Sequence, residues 1–252
     1  MMKAGLVSIS FRKLKPAEII RLCGQCDLRE IEWGGDVHVP LGDLSAAREV
    51  ARQTREAGLN VCCYGSYVRM TREERPVFPA LVDTARALGA PSIRVWAGKG
   101  EDANLDEIAQ STQTLCDMAK DMAITFEFHG GTLTHDAATA GELLRRIDRP
   151  NARSQWQPPV NLPEEDCLSS IAAMRPWLHH VHVFSWKGTD RLPLSAKAES
   201  WKKYLKALAG DRAALLEFVQ DDDPQNLVRD AAVLHDWLRE LAAQGPTDEH
   251  RE

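Results

Sequence analysis

The 252-residue chain has no apolar run long enough to cross a bilayer. Its start, MMKAGLVSIS, carries one lysine and then a short alternating segment, which is not the pattern of a signal peptide. A cytoplasmic protein without membrane contact is expected. Excess positive charge is also missing. There are 31 Lys and Arg against 37 Asp and Glu, the formal net charge is -6, and the basic residues are spread along the chain. Without a basic stripe there is no electrostatic footprint for nucleic acid, and a small-molecule or protein partner is expected. Nucleotide-cradling loops are absent too: no strand-like segment is followed by G-x-G-x-x-G or G-x-x-x-x-G-K. The six cysteines read as reduced thiols; Cys23 and Cys26 form a C-x-x-C, but there is no second pair to complete a structural zinc site. Cys62 and Cys63, adjacent in a strand, are expected on opposite faces as small apolar side chains.

What is present is an ordinary globular composition, 44% apolar and 27% charged, with enough length for one large core. One domain over 1–243 is expected, followed by a polar tail over 244–252. Eight β-rich segments recur: AGLVSIS, REIEWGG, NVCCYGS, SIRVWAG, ITFEFHG, RSQWQPP, HHVHVFS and AALLEFV. They begin roughly 30 residues apart, and amphipathic helical patterns such as DLSAAREVARQTREAGL fill most intervals. Strands alternating with helices imply parallel pairing, and eight units in this length predict an α/β fold, a single (β/α)8 barrel. An open doubly wound sheet is the alternative, and the missing glycine-rich turn counts against it. AGLN and LGAP close two helices on glycine, and DDDPQN opens the last.

Side chains alternate across a strand, so each segment divides into two sets. In ITFEFHG, Ile124, Phe126 and Phe128 suit the layer under the helices, leaving Thr125, Glu127 and His129 for the barrel interior. The same parity turns Glu30 and Glu32, Arg94 and Trp96, Gln155 and Gln157, His180 and His182, and Leu215 and Glu217 inward. Four successive late strands thus offer Glu127, Gln157, His182 and Glu217 near their C-terminal ends, where barrel enzymes assemble their sites. Two carboxylates, an imidazole and an amide oxygen suit a divalent cation of the Mg, Mn or Co type, with Zn a further candidate. Gln155 and Gln157 on one face of a buried strand then have something polar to meet.

The segments IEWGGDVHVP, IRVWAG, FEFHGG, HVHV and LLEFV resemble the sugar phosphate isomerase/epimerase superfamily of xylose isomerase-like TIM barrels. The resemblance covers the chain apart from the tail. By position it implies that Glu127 is the first metal-binding glutamate, His182 the metal histidine and Glu217 the last glutamate. Gln157 stands where most active members have aspartate, Val160 replaces a frequent histidine, and Gly188 replaces an arginine that ketose epimerases of this type carry.

Such a site supports isomerisation or epimerisation of a small sugar or sugar-derived polyol. The cation stabilises an enediolate while Glu127 and Glu217 act as base and acid. Glu32, His38, Arg94, Trp96 and Lys99 are the candidates to hold substrate, with Glu32 and Arg94 alternatively a structural ion pair. His180 lies one layer deeper as a supporting residue, and His129 is open between support and substrate contact. Trp186 and Lys187 fall in a long loop where a lid is expected. A dehydratase using the same chemistry, a catalytically inactive sugar-binding or partner-binding barrel, and an abasic-site endonuclease are the other readings. The last needs more histidines and a basic surface than the chain has. Homo-oligomerisation is open, since barrels of this kind often pair through exposed loops.

Overall fold

The structure, a computed structural model, describes residues 2–159 and 162–244. Among them, eight parallel strands close into a barrel: β1 (Lys3–Val7), β2 (Glu30–Gly34), β3 (Asn60–Gly65), β4 (Ser92–Val95), β5 (Ala123–Glu127), β6 (Ala152–Trp156), β7 (Leu178–Val183) and β10 (Ala213–Leu216). β1 seals the cylinder by pairing with both β2 and β10. A short antiparallel hairpin, β8 (Trp186–Lys187) with β9 (Asp190–Arg191), interrupts the repeat after β7. Helices α1 (Pro16–Gln25), α2 (Leu44–Glu56), α3 (Phe78–Leu88), α4 (Leu105–Met118), α5 (Ala137–Ile147), α6 (Glu164–Met174), α7 (Ala198–Ala207) and α8 (Pro224–Ala243) form the outer ring. The expected tail lies, from residue 245 on, outside the described residues. No described helix is long and apolar enough to cross a membrane.

The helix ends follow local chemistry. The carboxylates of Asp43, Asp136 and Asp223 and the amide oxygen of Asn104 accept backbone N–H bonds at the starts of α2, α5, α8 and α4. Gly89 closes α3 in the left-handed region, at φ 72°, where a side chain is disfavoured. Between barrel and helices runs one continuous apolar layer. Ile31, Trp33, Ile93, Val95, Ile124, Phe126, Val181 and Val183 face it from the strands, all buried. Trp156 joins it with its indole N–H donating to Ser170 Oγ at 2.9 Å.

One strand breaks the alternation. Between β2 and β3 the register slips, so that Glu30 faces Asn60 and Ile31 faces Val61, but Glu32 faces Cys63. Cys62 is the extra residue of a β-bulge. The opposite-face expectation for the two cysteines therefore fails. Cys62 packs against Val7 and Leu215 inside the barrel, while Cys63 lies among Glu32, Arg94 and Thr125. Burial pushes both thiols well above their usual range, so they stay protonated.

Candidate metal centre

Parity along β5, β6, β7 and β10 brings Glu127, Gln157, His182 and Glu217 together at the C-terminal mouth, each at most 8% exposed. His182 is the centre of the group. Its Nδ1 lies 3.2 Å from Gln157 Oε1 and 3.1 Å from Glu217 Oε2. Gln157 also donates from Nε2 to Glu127 Oε1 at 3.4 Å. One ligand atom each from Glu127, His182 and Glu217 can be chosen so that all lie within 4.8 Å of one another.

The far side of the imidazole is held from below. Its Nε2 lies 3.1 Å from Glu32 Oε2, and the same oxygen meets His180 Nε2 at 3.0 Å. The Gln155 amide approaches His182 Nε2 at 3.1 Å. Glu32 is thus a support for both histidines, one layer beneath the mouth. Such a carboxylate fixes the orientation of a ligating imidazole and directs Nδ1 toward the cation. Burial alone lowers the pKa of His182, but the charges of Glu217 and Glu32 outweigh it and raise it to about 10. With Nε2–H donating to Glu32, a proton at Nδ1 stands where a cation otherwise would.

Arg94 ties the deeper layer to the upper one. It is 1% exposed, its Nε lies 3.0 Å from Glu32 Oε1, and its Nη1 donates to Glu127 Oε2. The Trp96 indole N–H donates to the same Glu127 oxygen. Burial favours the neutral form of Glu127, but Arg94, then His182, brings its pKa below the ordinary value. Glu32 is held well below the carboxylate range in the same way, burial being outweighed by His182 and Arg94.

The residues present fit a divalent cation. Glu217 Oε2 is buried, and its contact at 3.1 Å is the same imidazole nitrogen that the Gln157 carbonyl oxygen meets. Three oxygen and nitrogen lone pairs crowding one point need a positive charge between them.

Other expected contacts sit further out. Trp96 lies at the mouth, stacked on His129 with centroids 4.7 Å apart. His129 Nδ1–H donates to Gly130 O at 2.5 Å. His38 is buried away from the cluster's bonds, its Nδ1 at 2.9 Å from Ser8 Oγ and its Nε2 at 3.2 Å from Leu14 O. Lys99 is exposed in the loop after β4, where its charge acts on Glu73. Neither joins the candidate metal cluster through a hydrogen bond or ion pair among the described residues. Val160 lies outside the described residues. A cavity of about 420 Å³ opens above Gln157, lined by His129, Phe184, Trp186 and Phe218 among others.

His180 continues the chain downward, its Nδ1 lying 2.8 Å from Nδ1 of His179 at the N-terminal end of β7. Burial, then the neighbouring His180, Arg153 and Arg212, lowers the pKa of His179 to about 3, against a slight opposing pull from Glu32. The unfolded chain therefore takes up a proton near pH 6.5 that the folded chain refuses, so stability falls as pH drops from about 6.5 toward 3. This one site contributes a slope of at most about 1.4 kcal/mol per pH unit. Urea midpoints measured between pH 7.5 and 5 are expected to fall less steeply in His179→Gln than in the parent; an unchanged slope would contradict the assignment.

With this geometry in hand, the family follows. Residues 20–241 match the model of the xylose isomerase-like TIM barrel family, and the chain belongs to it. Among solved structures, the probable 3-DHS dehydratase AsbF of Bacillus anthracis, involved in petrobactin synthesis, superposes with a TM-score of 0.78 at 20% identity, over 93% of this chain and 99% of that one. D-Psicose 3-epimerase of Clostridium cellulolyticum, solved with D-tagatose, gives 0.73 at 13% identity over 95% and 99%. A xylose isomerase-like TIM barrel protein of Mycobacterium smegmatis, in complex with magnesium, gives 0.69 at 14% identity over 95% and 97%. At such identities these likenesses establish the fold alone. No curated protein matches the chain.

Proposed function

We propose that the barrel is a divalent-metal-dependent isomerase or epimerase of a small sugar or sugar-derived polyol, with Glu127, Gln157, His182 and Glu217 holding the cation. The observation that carries the reading is the convergence of Gln157 Oε1 and Glu217 Oε2 on His182 Nδ1, while Glu32 occupies the opposite nitrogen. Charge supports it. Three buried carboxylates, Glu32, Glu127 and Glu217, face the single guanidinium of Arg94, which leaves two negative charges for a divalent cation to balance when His182 is neutral. A neutral Gln157 is compatible with that balance, and a fourth carboxylate in its place adds a surplus charge.

A cation held by these four residues would supply Lewis acidity toward a substrate carbonyl and so would acidify the C–H on the adjacent carbon. The chain's own carboxylates divide the remaining work unequally. Glu127 has one oxygen fixed by Arg94 and Trp96, so it stays ionised and holds its place. Glu217 carries neither of those donors and is the carboxylate that takes the proton. His129 Nε2, at the wall of the cavity, is placed to exchange a proton with a substrate hydroxyl. One base with one separate acid also suits loss of water, and this asymmetry makes a dehydratase of a sugar-like substrate the second reading.

Elemental analysis of protein incubated with Mn and with Mg tests the site. The parent is expected to retain about one ion per chain, and Glu217→Gln to retain at most a tenth of that, because a neutral amide replaces an ionised oxygen donor. A metal-free parent that gains metal only as Gln157→Asp would sink the reading in favour of a barrel that binds without catalysis.

A further inference from the structure

The imidazole of His182 is approached from both ends. Above, Nδ1 faces the candidate cation site; below, Nε2 lies 3.1 Å from Glu32 Oε2 and 3.1 Å from the side-chain nitrogen of Gln155. With the amide turned this way, no placement of one proton satisfies both lower contacts. An N–H at Nε2 suits the carboxylate but confronts the amide donors, and a lone pair there suits the amide but confronts the carboxylate. Gln155 Oε1, meanwhile, is buried without a hydrogen-bond partner among the described residues. The oxygen and nitrogen of an amide occupy nearly the same volume, so exchanging them puts an oxygen donor 3.1 Å from His182 Nε2.

His180 completes the arrangement. Its Nε2 lies 3.0 Å from the same Glu32 oxygen, and one ligand atom each from Glu32, His180 and His182 can be chosen so that all lie within 4.8 Å of one another. Donor atoms about 2.1 Å from a common zinc lie roughly 3.0–3.5 Å apart, the spacing of these contacts. Glu32 has its other oxygen, Oε1, 3.0 Å from Arg94 Nε, so Oε2 is the one left for an ion. With His180 Nδ1–H donated to His179 Nδ1 at 2.8 Å, the His180 lone pair at Nε2 turns to the same point.

We propose that the chain has a second cation seat directly beneath the first, formed by Glu32, His180 and His182 with Gln155 as a fourth donor, and that the two seats exclude one another. Two imidazoles and two oxygens suit four-coordinate zinc, whereas one imidazole with three oxygen-bearing side chains, in the upper seat, suits Mg or Mn. A neutral imidazole has one lone pair and one N–H. With an ion below, the His182 proton sits on Nδ1, where Gln157 Oε1 at 3.2 Å and Glu217 Oε2 at 3.1 Å accept it. With an ion above, the proton sits on Nε2 and Glu32 accepts it. The lower donors are at most 1% exposed, so a zinc there has no open position for a substrate; it braces the barrel and disables the upper seat. This seat goes beyond the isomerase reading and does not depend on it.

The test uses protein produced with zinc, with Mn, or with both in the medium. X-ray absorption of the zinc-loaded parent counts the imidazoles bound to the metal, two in the lower seat against one in the upper, and two are expected. Elemental analysis is expected to find about one ion per chain under all three conditions, because His182 serves one seat at a time. His180→Gln is expected to lose zinc by about tenfold or more and keep Mn, and Glu217→Gln to do the reverse. The imidazole count on the parent decides the matter even where a variant does not fold. A parent without zinc, a zinc bound by one imidazole, or zinc and Mn retained together at one each overturns the proposal. Zinc on two imidazoles with no Mn uptake leaves the lower seat standing and sinks the upper metal centre; Mn uptake with zinc on one imidazole sinks the lower seat alone.

Discussion

Arg94→Met is expected to destabilise the fold by about 3–5 kcal/mol, the range for breaking a buried ion pair by removing one partner. Arg94 is the shared cation of Glu32, which is 0% exposed, and Glu127, which is 3% exposed. Methionine fills much of the volume, so the loss is mainly electrostatic: two carboxylates remain with neither solvent nor guanidinium. Burial then raises their folded pKa values against the pull of His182 alone, and to the extent that they pass the unfolded ones the folded variant binds protons first and regains stability as pH falls. The deficit relative to the parent is therefore expected to be larger at pH 7.5 than at pH 5.5. Urea unfolding at the two pH values measures both quantities. A loss under about 1 kcal/mol, or a deficit that grows toward acid, would show that the two carboxylates have other means of charge compensation. Arg94→Lys is expected to fall between, because an ammonium keeps the charge but cannot bridge two carboxylates with a planar fork.

Gly5→Ala is the second large effect. Gly5 faces the barrel interior from β1, opposite Glu30 on one side and Leu215 on the other. A β-carbon there lies 2.2 Å from the Glu30 carbonyl oxygen and 2.5 Å from a Leu215 methyl. The first obstacle is backbone in a paired strand, so it cannot turn away as a side chain can. Overpacking of a tight interior costs about 1–3 kcal/mol and occasionally more, and the backbone clash puts this substitution at or above the upper end. Gly24→Ala is the control, since a β-carbon there meets nothing within 4 Å; in the last turn of α1 it is expected to be neutral or stabilising by up to about 1 kcal/mol. Equal urea midpoints for the two variants would refute the packing argument.

Much of the molecule was legible because barrel strands obey a period of two and because the helices carry their own stop signals. Glu127, His129, Gln157, His180, His182 and Glu217 all follow from that period. The local rule says nothing about distance across the barrel. Glu32 and His182 are 150 residues apart in sequence, and only closure of the sheet places one carboxylate oxygen against two imidazoles. Sequence alone therefore presents Glu32 as a substrate contact or an ion-pair partner, and in the structure it is in addition the support of the candidate metal histidine. His38 and Lys99 stand out in the sequence by chemistry and loop position alone; side-chain packing directs the first to Ser8 and Leu14, and solvent takes the second. The β8–β9 hairpin was invisible as structure because two-residue strands have no period to detect, although Trp186 and Lys187 marked its place.

The bulge in β3 works as a change of phase. Had β3 run on from Asn60 without an extra residue, its inward positions would be Cys62 and Tyr64. With Cys62 inserted, Tyr64 turns outward and donates its hydroxyl to Val39 O at 3.0 Å, and Gly65 arrives on the inner face. A β-carbon at Gly65 lies 2.7 Å from Glu32 Oε1 and 3.0 Å from Arg94 Nη2. The inserted cysteine thus trades a phenol ring for an empty slot at the height where the guanidinium crosses between its two carboxylates. Regular alternation with Cys62 kept would drive the tyrosine ring into that slot and displace the cation that holds Glu127 in place, whereas deleting Cys62 closes the bulge and leaves Cys63 and Gly65 inward and Tyr64 outward. The charge pattern of the upper mouth is, in this sense, spaced by a residue that takes no part in it.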